Sequence, residues 1–230
     1  MFGEVIAWII LTLAIVSILS AISGKYGHEI AIGVFASLTV VANIIAFKIV
    51  TFGSFVVPAA VIVYASTFLV TDFLSEVYGR STAVKAVWAG FLSNIIMVLS
   101  VMIAVKWEPA SFMDKGLVES FNTVLGFAPR VVIASMIAFL ISQHHDVWAF
   151  HFWKEKMKGK YLWMRNNLST LVSQLIDTVI FISIAFAGKF PMEVISAMVL
   201  GQYIVKVIIA LVDTPFIYLC VKISKIFGPS

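Results

Sequence analysis

Asn166, Thr170, Ser173, Gln174 and Asp177 stand at i, i+4, i+7, i+8 and i+11, a spacing that gathers them on one arc of about 100° of a helix whose other face is apolar. Gln202, Lys206 and Asp213 repeat the pattern at i, i+4 and i+11. Asp177 lies near the middle of an apolar run about 35 Å long, too deep for a short carboxylate to reach either end. A central charge in a lipid-spanning helix costs about 2.5 to 3.5 kcal/mol even on lenient insertion scales, so such residues need a partner. Lys206 and Asp213 are separated by about 10 Å along their own axis. Asp177 and Lys206 are therefore expected to satisfy each other across a polar cavity. The chemistry open to this set is the holding of a polar solute or the relay of a proton.

Further polar residues interrupt the neighbouring runs: Tyr64, Thr67, Thr71, Asp72, Ser75 and Glu76 in one, with Asn43, Asn94, Gln143 and Asp146 in others. Ser75, Thr170 and Ser173 read as hydroxyls that bond back to helix carbonyls or to an adjacent helix. Asp72, Glu76, Asp146 and Arg80 are expected near a membrane boundary, where ordinary ion pairs suffice. Tyr64 and Phe181 sit beside the polar stripes and could stack on a planar ligand.

Enzyme readings find no support, since H-E-x-x-H, G-x-S-x-G and P-loop motifs are all absent from the sequence. His144, His145 and His151 form too small a cluster for a membrane metal site, so neither metal nor cofactor is expected. One cysteine, Cys220, excludes an internal disulfide.

The elements that position these residues follow from composition. Of 230 residues 61% are apolar and only 12% charged, about half the charged fraction of a soluble domain. The mean hydropathy is +1.05. A soluble enzyme, a nucleic-acid reader and a disordered chain are excluded, despite a pI near 9.2. Apolar runs of spanning length occur at 4–22, 30–50, 55–78, 82–106, 129–150, 166–188 and 192–223, giving an all-α polytopic integral membrane helix bundle that forms one transmembrane domain over 1–230. The first run contains Glu4, has no preceding Lys or Arg and exceeds a signal core in length, so it reads as a permanent span. The last is long enough to tilt or to bend near Pro215. The connection between 151 and 165 carries Lys154, Lys156, Lys158, Lys160 and Arg165. Placing it inside puts Lys25, Arg80, Lys85, Lys222 and Lys225 with it, against Lys48, Lys106, Lys115, Arg130 and Lys189 outside. The positive-inside rule then gives an external N-terminus and an internal C-terminus in a cell inner (plasma) membrane.

Three ordered segments, "TDFLSEVYG" (71–79), "ASMIAFLISQHHDVWAF" (134–150) and "WMRNNLSTLVSQLIDTVIFISIAFAG" (163–188), resemble the queuosine precursor transporter family. That family is also called the vitamin uptake transporter family and is distantly similar to the substrate-binding subunits of energy-coupling-factor importers. The resemblance runs from about Asn43 to the C-terminus. It implies a six-helix core over about 30–224 with one extra N-terminal helix at 4–22, and import of 7-deazaguanine bases, the nitrile (preQ0) and aminomethyl (preQ1) precursors of queuosine and archaeosine. Positions matching the family pattern are Asn43, Asp72, Glu76, Gly79, Gln143, Asp146, Asn166, Ser169, Gln174, Asp177 and Lys206.

Such a base presents N1–H and a 2-amino group on one edge, two donors that an ionised carboxylate accepts together. Its O6 accepts from an amide such as Gln174, Gln143 or Asn43, or from Lys206. The candidate substrate-binding set is Asp177, Lys206, Gln174, Gln143, Asn43, Asp72, Gln202 and Tyr64. The expected partners are a small-molecule 7-deazapurine and membrane lipid, with no nucleic acid. A homo-oligomer is allowed, and an ATPase module is allowed but not expected. Two alternatives stay open: a substrate-binding subunit of an ATP-driven vitamin-type importer, and a proton-coupled permease for another purine-like base.

Overall fold

The computed structural model describes residues 2–46, 48–52, 55–126 and 129–227. Its elements are α1 (Phe2–Ala21), α2 (Ser23–Tyr26), α3 (Glu29–Ile45), β1 (Ile49–Phe52), β2 (Phe55–Pro58), α4 (Val61–Val77), α5 (Arg80–Lys106), α6 (Lys115–Leu125), α7 (Pro129–Lys156), α8 (Leu162–Phe186) and α9 (Met192–Phe227). Among the described residues, α1, α5, α7, α8 and α9 are long and apolar enough to cross a membrane, and the chain is a multi-pass, all-α membrane helix bundle. The remaining two expected spans are occupied by α3 and α4. Each has 17 residues, or about 25 Å of helix.

Those two helices are shorter than their apolar runs because the intervening chain pairs as a hairpin. β1 and β2 run antiparallel with Val50 opposite Val57 and Thr51 opposite Val56. The expectation of helix through 50 and again from 55 is corrected here. Ile49, Val50, Thr51, Val56 and Val57 are β-branched and favour strands, and hydropathy does not separate a strand from a helix in a continuous apolar run. One connection also differs from expectation. α7 continues to Lys156 and α8 starts at Leu162, which shortens the basic connection to a turn. The connection between the apolar runs 82–106 and 129–150 contains α6. Asp114 caps that helix by accepting from the Leu117 N–H at 2.9 Å, and Leu117, Phe121 and Val124 are exposed along it.

Helix ends sort into two groups. Ser23 meets the Tyr78 hydroxyl at 3.0 Å, Lys154 reaches Glu76 at 2.9 Å, and the Trp163 N–H donates to Tyr218 Oη at 3.2 Å. The C-terminal ends of α4, α7 and α9 and the start of α8 therefore share one end of the bundle, which also carries the basic α7–α8 turn. We call it the basic end. The hairpin, the C-terminal end of α3 and the N-terminal half of α7 lie at the other, the hairpin end. There Asn43 donates to Asn94 Oδ1 at 2.6 Å and accepts from Ser135 at 3.0 Å. α3 and α5 pack closely because Gly90 faces Phe35: a Cβ at Gly90 would lie 2.8 Å from the ring. The apolar core joins α1, α3, α4, α5, α7 and α9 around Phe35, Leu69, Phe73, Val87, Phe150 and Ile209.

Candidate functional site

The polar arc of α8 faces α4, α7 and α9, and its deepest charge is fully partnered. Lys206 Nζ lies 2.6 Å from Asp177 Oδ2, with side chains 1% and 6% exposed. The other oxygen, Oδ1, accepts from the Tyr64 hydroxyl at 2.5 Å and from the Ser142 hydroxyl at 3.2 Å. Lys206 also donates to Thr178 Oγ1 at 3.0 Å, and its ammonium lies 5.1 Å from the Tyr64 ring centroid, within cation–π range. Four helices thus contribute to a single charge-neutral knot, α8 with two members and α4, α7 and α9 with one each. The pairing of Asp177 with Lys206 expected from depth alone is present. Tyr64 and Ser142 join it across helices, a contact that periodicity within one helix does not encode.

Beside a hollow of about 520 Å³, within the range of about 300 to 1,000 Å³ typical of small-molecule sites, the knot floors a narrower recess of about 60 Å³. Asn43, Pro58, Tyr64, Ser135, Phe181, Gln202 and Lys206 are among its lining residues. The wider apolar hollow, lined by Met97, Val131, Val132, Met136, Phe186 and Met198, adjoins it and shares Asn43, Phe181 and Gln202. The recess therefore belongs to the hairpin end, where β2 and the first turn of α4 form part of its wall.

Of the candidate residues, Asp177, Lys206, Tyr64, Asn43 and Gln202 come together at this recess. They are not equally available. Asn43 is engaged by Thr39, Asn94 and Ser135. Asp177 has one carboxylate oxygen doubly occupied and the other bound to Lys206, which leaves lone-pair capacity on Oδ2 alone. Gln202 has no hydrogen-bond partner in the described residues and presents a free amide to both hollows. Phe181, noticed in the sequence only as an aromatic beside the stripe, is a wall residue of both. Ser135, Ser142 and Pro58 were not singled out by sequence reasoning.

Gln143, Asp72 and Gln174 lie elsewhere. Gln143 donates to Thr67 Oγ1 at 2.8 Å. Thr71 Oγ1 approaches Asp146 Oδ2 at 3.2 Å, and Thr170 Oγ1 approaches Asp72 Oδ2 at 3.2 Å. Asn166 donates to Asp213 at 2.9 Å. These residues form a second polar layer between the recess and the basic end. The expectation that Asp72 and Asp146 sit among boundary ion pairs is corrected: both are 0% exposed, and no basic side chain bonds either one among the described residues. Gln174, 1% exposed, has neither amide atom bonded. Glu76 does form the expected boundary pair, with Arg165 at 2.7 Å and Lys154 at 2.9 Å, and closes the basic end. The histidines serve local roles: His144 and His151 bond carbonyls one turn back and His145 bonds Ser173.

Comparison with known proteins places this architecture. No solved structure matches the chain. A protein of Bacillus subtilis (strain 168) named "Probable queuosine precursor transporter" is 35% identical over 200 residues, 86% of this chain and 85% of the relative. The "Queuosine precursor transporter" of Escherichia coli (strain K12) is 27% identical over 148 residues, 63% of each chain. A "Probable queuosine precursor transporter" of Haemophilus influenzae is 26% identical over 148 residues, 63% of this chain and 60% of the relative. The family described as "Putative vitamin uptake transporter" matches residues 58–220, a segment that holds α4, α5, α7, α8 and most of α9 and hence both polar layers. With that match over most of its length, the chain belongs to this family of vitamin uptake transporters.

Proposed function

We propose that the protein imports a queuosine or archaeosine precursor, a 7-deazaguanine base such as preQ0 or preQ1, which binds in the recess above the Asp177–Lys206 pair. The observation that carries this reading is an ion pair buried at mid-span beneath an open hollow that also holds an unpaired amide. A transporter needs such a site, because a polar solute crossing hydrocarbon must exchange its water for fixed protein partners near the midplane. The relatives' names support the substrate class.

The recess offers groups complementary to the base. The remaining lone pair of Asp177 Oδ2 accepts one N–H of the guanidine-like edge, Gln202 supplies an amide donor and acceptor, and Tyr64 and Phe181 offer aromatic surface. Stacking of a base on an aromatic ring is worth about 1 to 3 kcal/mol. The basic residues favour the hairpin end outside and the basic end in the cytoplasm of a cell whose plasma membrane houses the protein, so the recess opens toward incoming substrate. Six helices, from α3 to α9 without the short α6, form the transport core, and α1 is an addition that packs on α9 and α4. The test is uptake of labelled base by a queuosine-auxotrophic host, normalised to the protein present in the membrane. Asp177→Asn abolishes it; uptake at the wild-type rate removes Asp177 from the site.

A further inference from the structure

Below the recess, Asp72 on α4, Asp146 on α7 and Asp213 on α9 form a cluster that the binding of a base does not use. All three are at most 1% exposed. Asp72 Oδ2 and Asp146 Oδ1 converge on the one hydroxyl of Thr170, at 3.2 and 3.5 Å, and Asp213 joins the layer through Asn166 at 2.9 Å. We propose that this cluster is a proton-binding site, loaded from one side of the membrane and emptied to the other, and that uptake is driven by the proton gradient. The proposal rests on the transport reading above.

The first argument is the absence of countercharge. On the elements packed around the cluster, every cation is committed or distant. Lys206 on α9 is held by Asp177, and Arg165 on α8 and Lys154 on α7 are held by Glu76 of α4. His145 on α7 bonds Ser173, and Arg80 and Lys85 on α5 are exposed. α1 and α3 bring only Glu4 and Glu29, each in its first turn and exposed. Three neighbouring carboxylates in a low-dielectric interior cannot all be ionised. Two carboxyl groups that converge on one hydroxyl are relieved when either of them takes up a proton.

The second argument is a deficit of donors. Thr170 has one hydroxyl hydrogen for Asp72 at 3.2 Å and Asp146 at 3.5 Å. Thr71 has one for Asp146, the Gln143 carbonyl and two backbone carbonyls. Asn166, itself 0% exposed and directed into the cluster by its bond to Asp213, has its carbonyl oxygen without a donor, and so does Asp72 Oδ1. The orphan atoms on this cluster are acceptors, so the missing component carries a hydrogen or a positive charge. A proton added to one carboxylate converts it to a neutral acid whose O–H serves such an acceptor, and nothing else is consumed. Thr67, Gln143 and Thr71 link the level of Tyr64 to Asp146 by hydrogen bonds, giving the site polar continuity toward the recess.

The test reconstitutes the full chain alone in sodium-free liposomes with a trapped pH dye. With an alkaline interior, labelled 7-deazaguanine base accumulates, up to about tenfold per pH unit for one proton per neutral base. Addition of base acidifies the lumen, and a protonophore abolishes the accumulation. Asp146→Asn and Asp213→Asn lose accumulation yet retain exchange of internal for external base without a gradient. Accumulation indifferent to the protonophore, accumulation that needs a sodium gradient, or variants that still concentrate base would each overturn the proton site while leaving the importer intact. Failure of the wild type to exchange base at all removes the transport reading and this inference with it.

Discussion

A buried ion pair contributes little net stability when whole, because desolvation offsets the attraction, but removal of one member leaves a stranded charge. At Asp177 and Lys206 the stranded partner would face a recess floor with only Tyr64, Ser142 and Thr178 to compensate. Asp177→Asn and Lys206→Met are each expected to destabilise the protein by about 3 kcal/mol. The double variant should recover most of that loss, because no unpaired charge remains. Transport should not recover, since the acceptor for the base edge is gone. Thermal unfolding in detergent, read beside uptake, separates the two effects. A double variant as unstable as the sum of the singles would mean that the residues act independently despite their 2.6 Å separation.

Between helices, a second charged lock lies at the basic end. Arg165, 1% exposed, pairs with both oxygens of Glu76 at 2.7 and 3.3 Å. It also donates to the carbonyls of Gly159 and Lys160 in a turn where Lys158 and Tyr161 hold positive φ. One guanidinium thus fixes the α7–α8 turn and ties it to α4, sealing the second polar layer from that side. On the proposed import route, release at the basic end requires this lock to open. Glu76→Gln, which removes a charge-assisted bond worth about 1.5 to 3 kcal/mol, should speed modification of Thr170→Cys in a Cys220→Ala background by about tenfold or more. The reagent is an impermeant thiol probe applied at the basic end, and an unchanged rate would show that the seal lies elsewhere. Sequence patterning made part of this legible. The α8 stripe stood out because lipid gives polar residues no other reason to align, and depth dictated that Asp177 needed Lys206. Asp146 was misplaced because hydropathy ended its run at 150, whereas α7 continues ten residues past Asp146; Asp72 lies five residues from the end of α4 and is buried by packing between helices that its own run does not encode. The hairpin was invisible for the opposite reason, its apolar residues being as compatible with a span as with a strand.

Taken as one molecule, the chain contains a recess at one end, a lock at the other and two polar layers between them, carried by α4, α7, α8 and α9 with α3 and β2 completing the recess wall. These are the parts that alternating exposure of a midplane site calls for. They lie within a single polypeptide that has no P-loop or other nucleotide motif. An ATP-driven binding subunit would instead need a partner to move its helices, and its isolated chain would bind substrate without passing it across. Purified protein alone in liposomes is therefore expected to equilibrate labelled base across the bilayer in the absence of ATP. Rates should fall to the protein-free background in Asp177→Asn vesicles. Binding without any flux in the wild type would assign the chain to the partner-dependent class. In that case the pairs of Glu76 with Arg165 and Lys154 become the lock a partner must release, because they tie the two sides of the α7–α8 turn to α4 by charge.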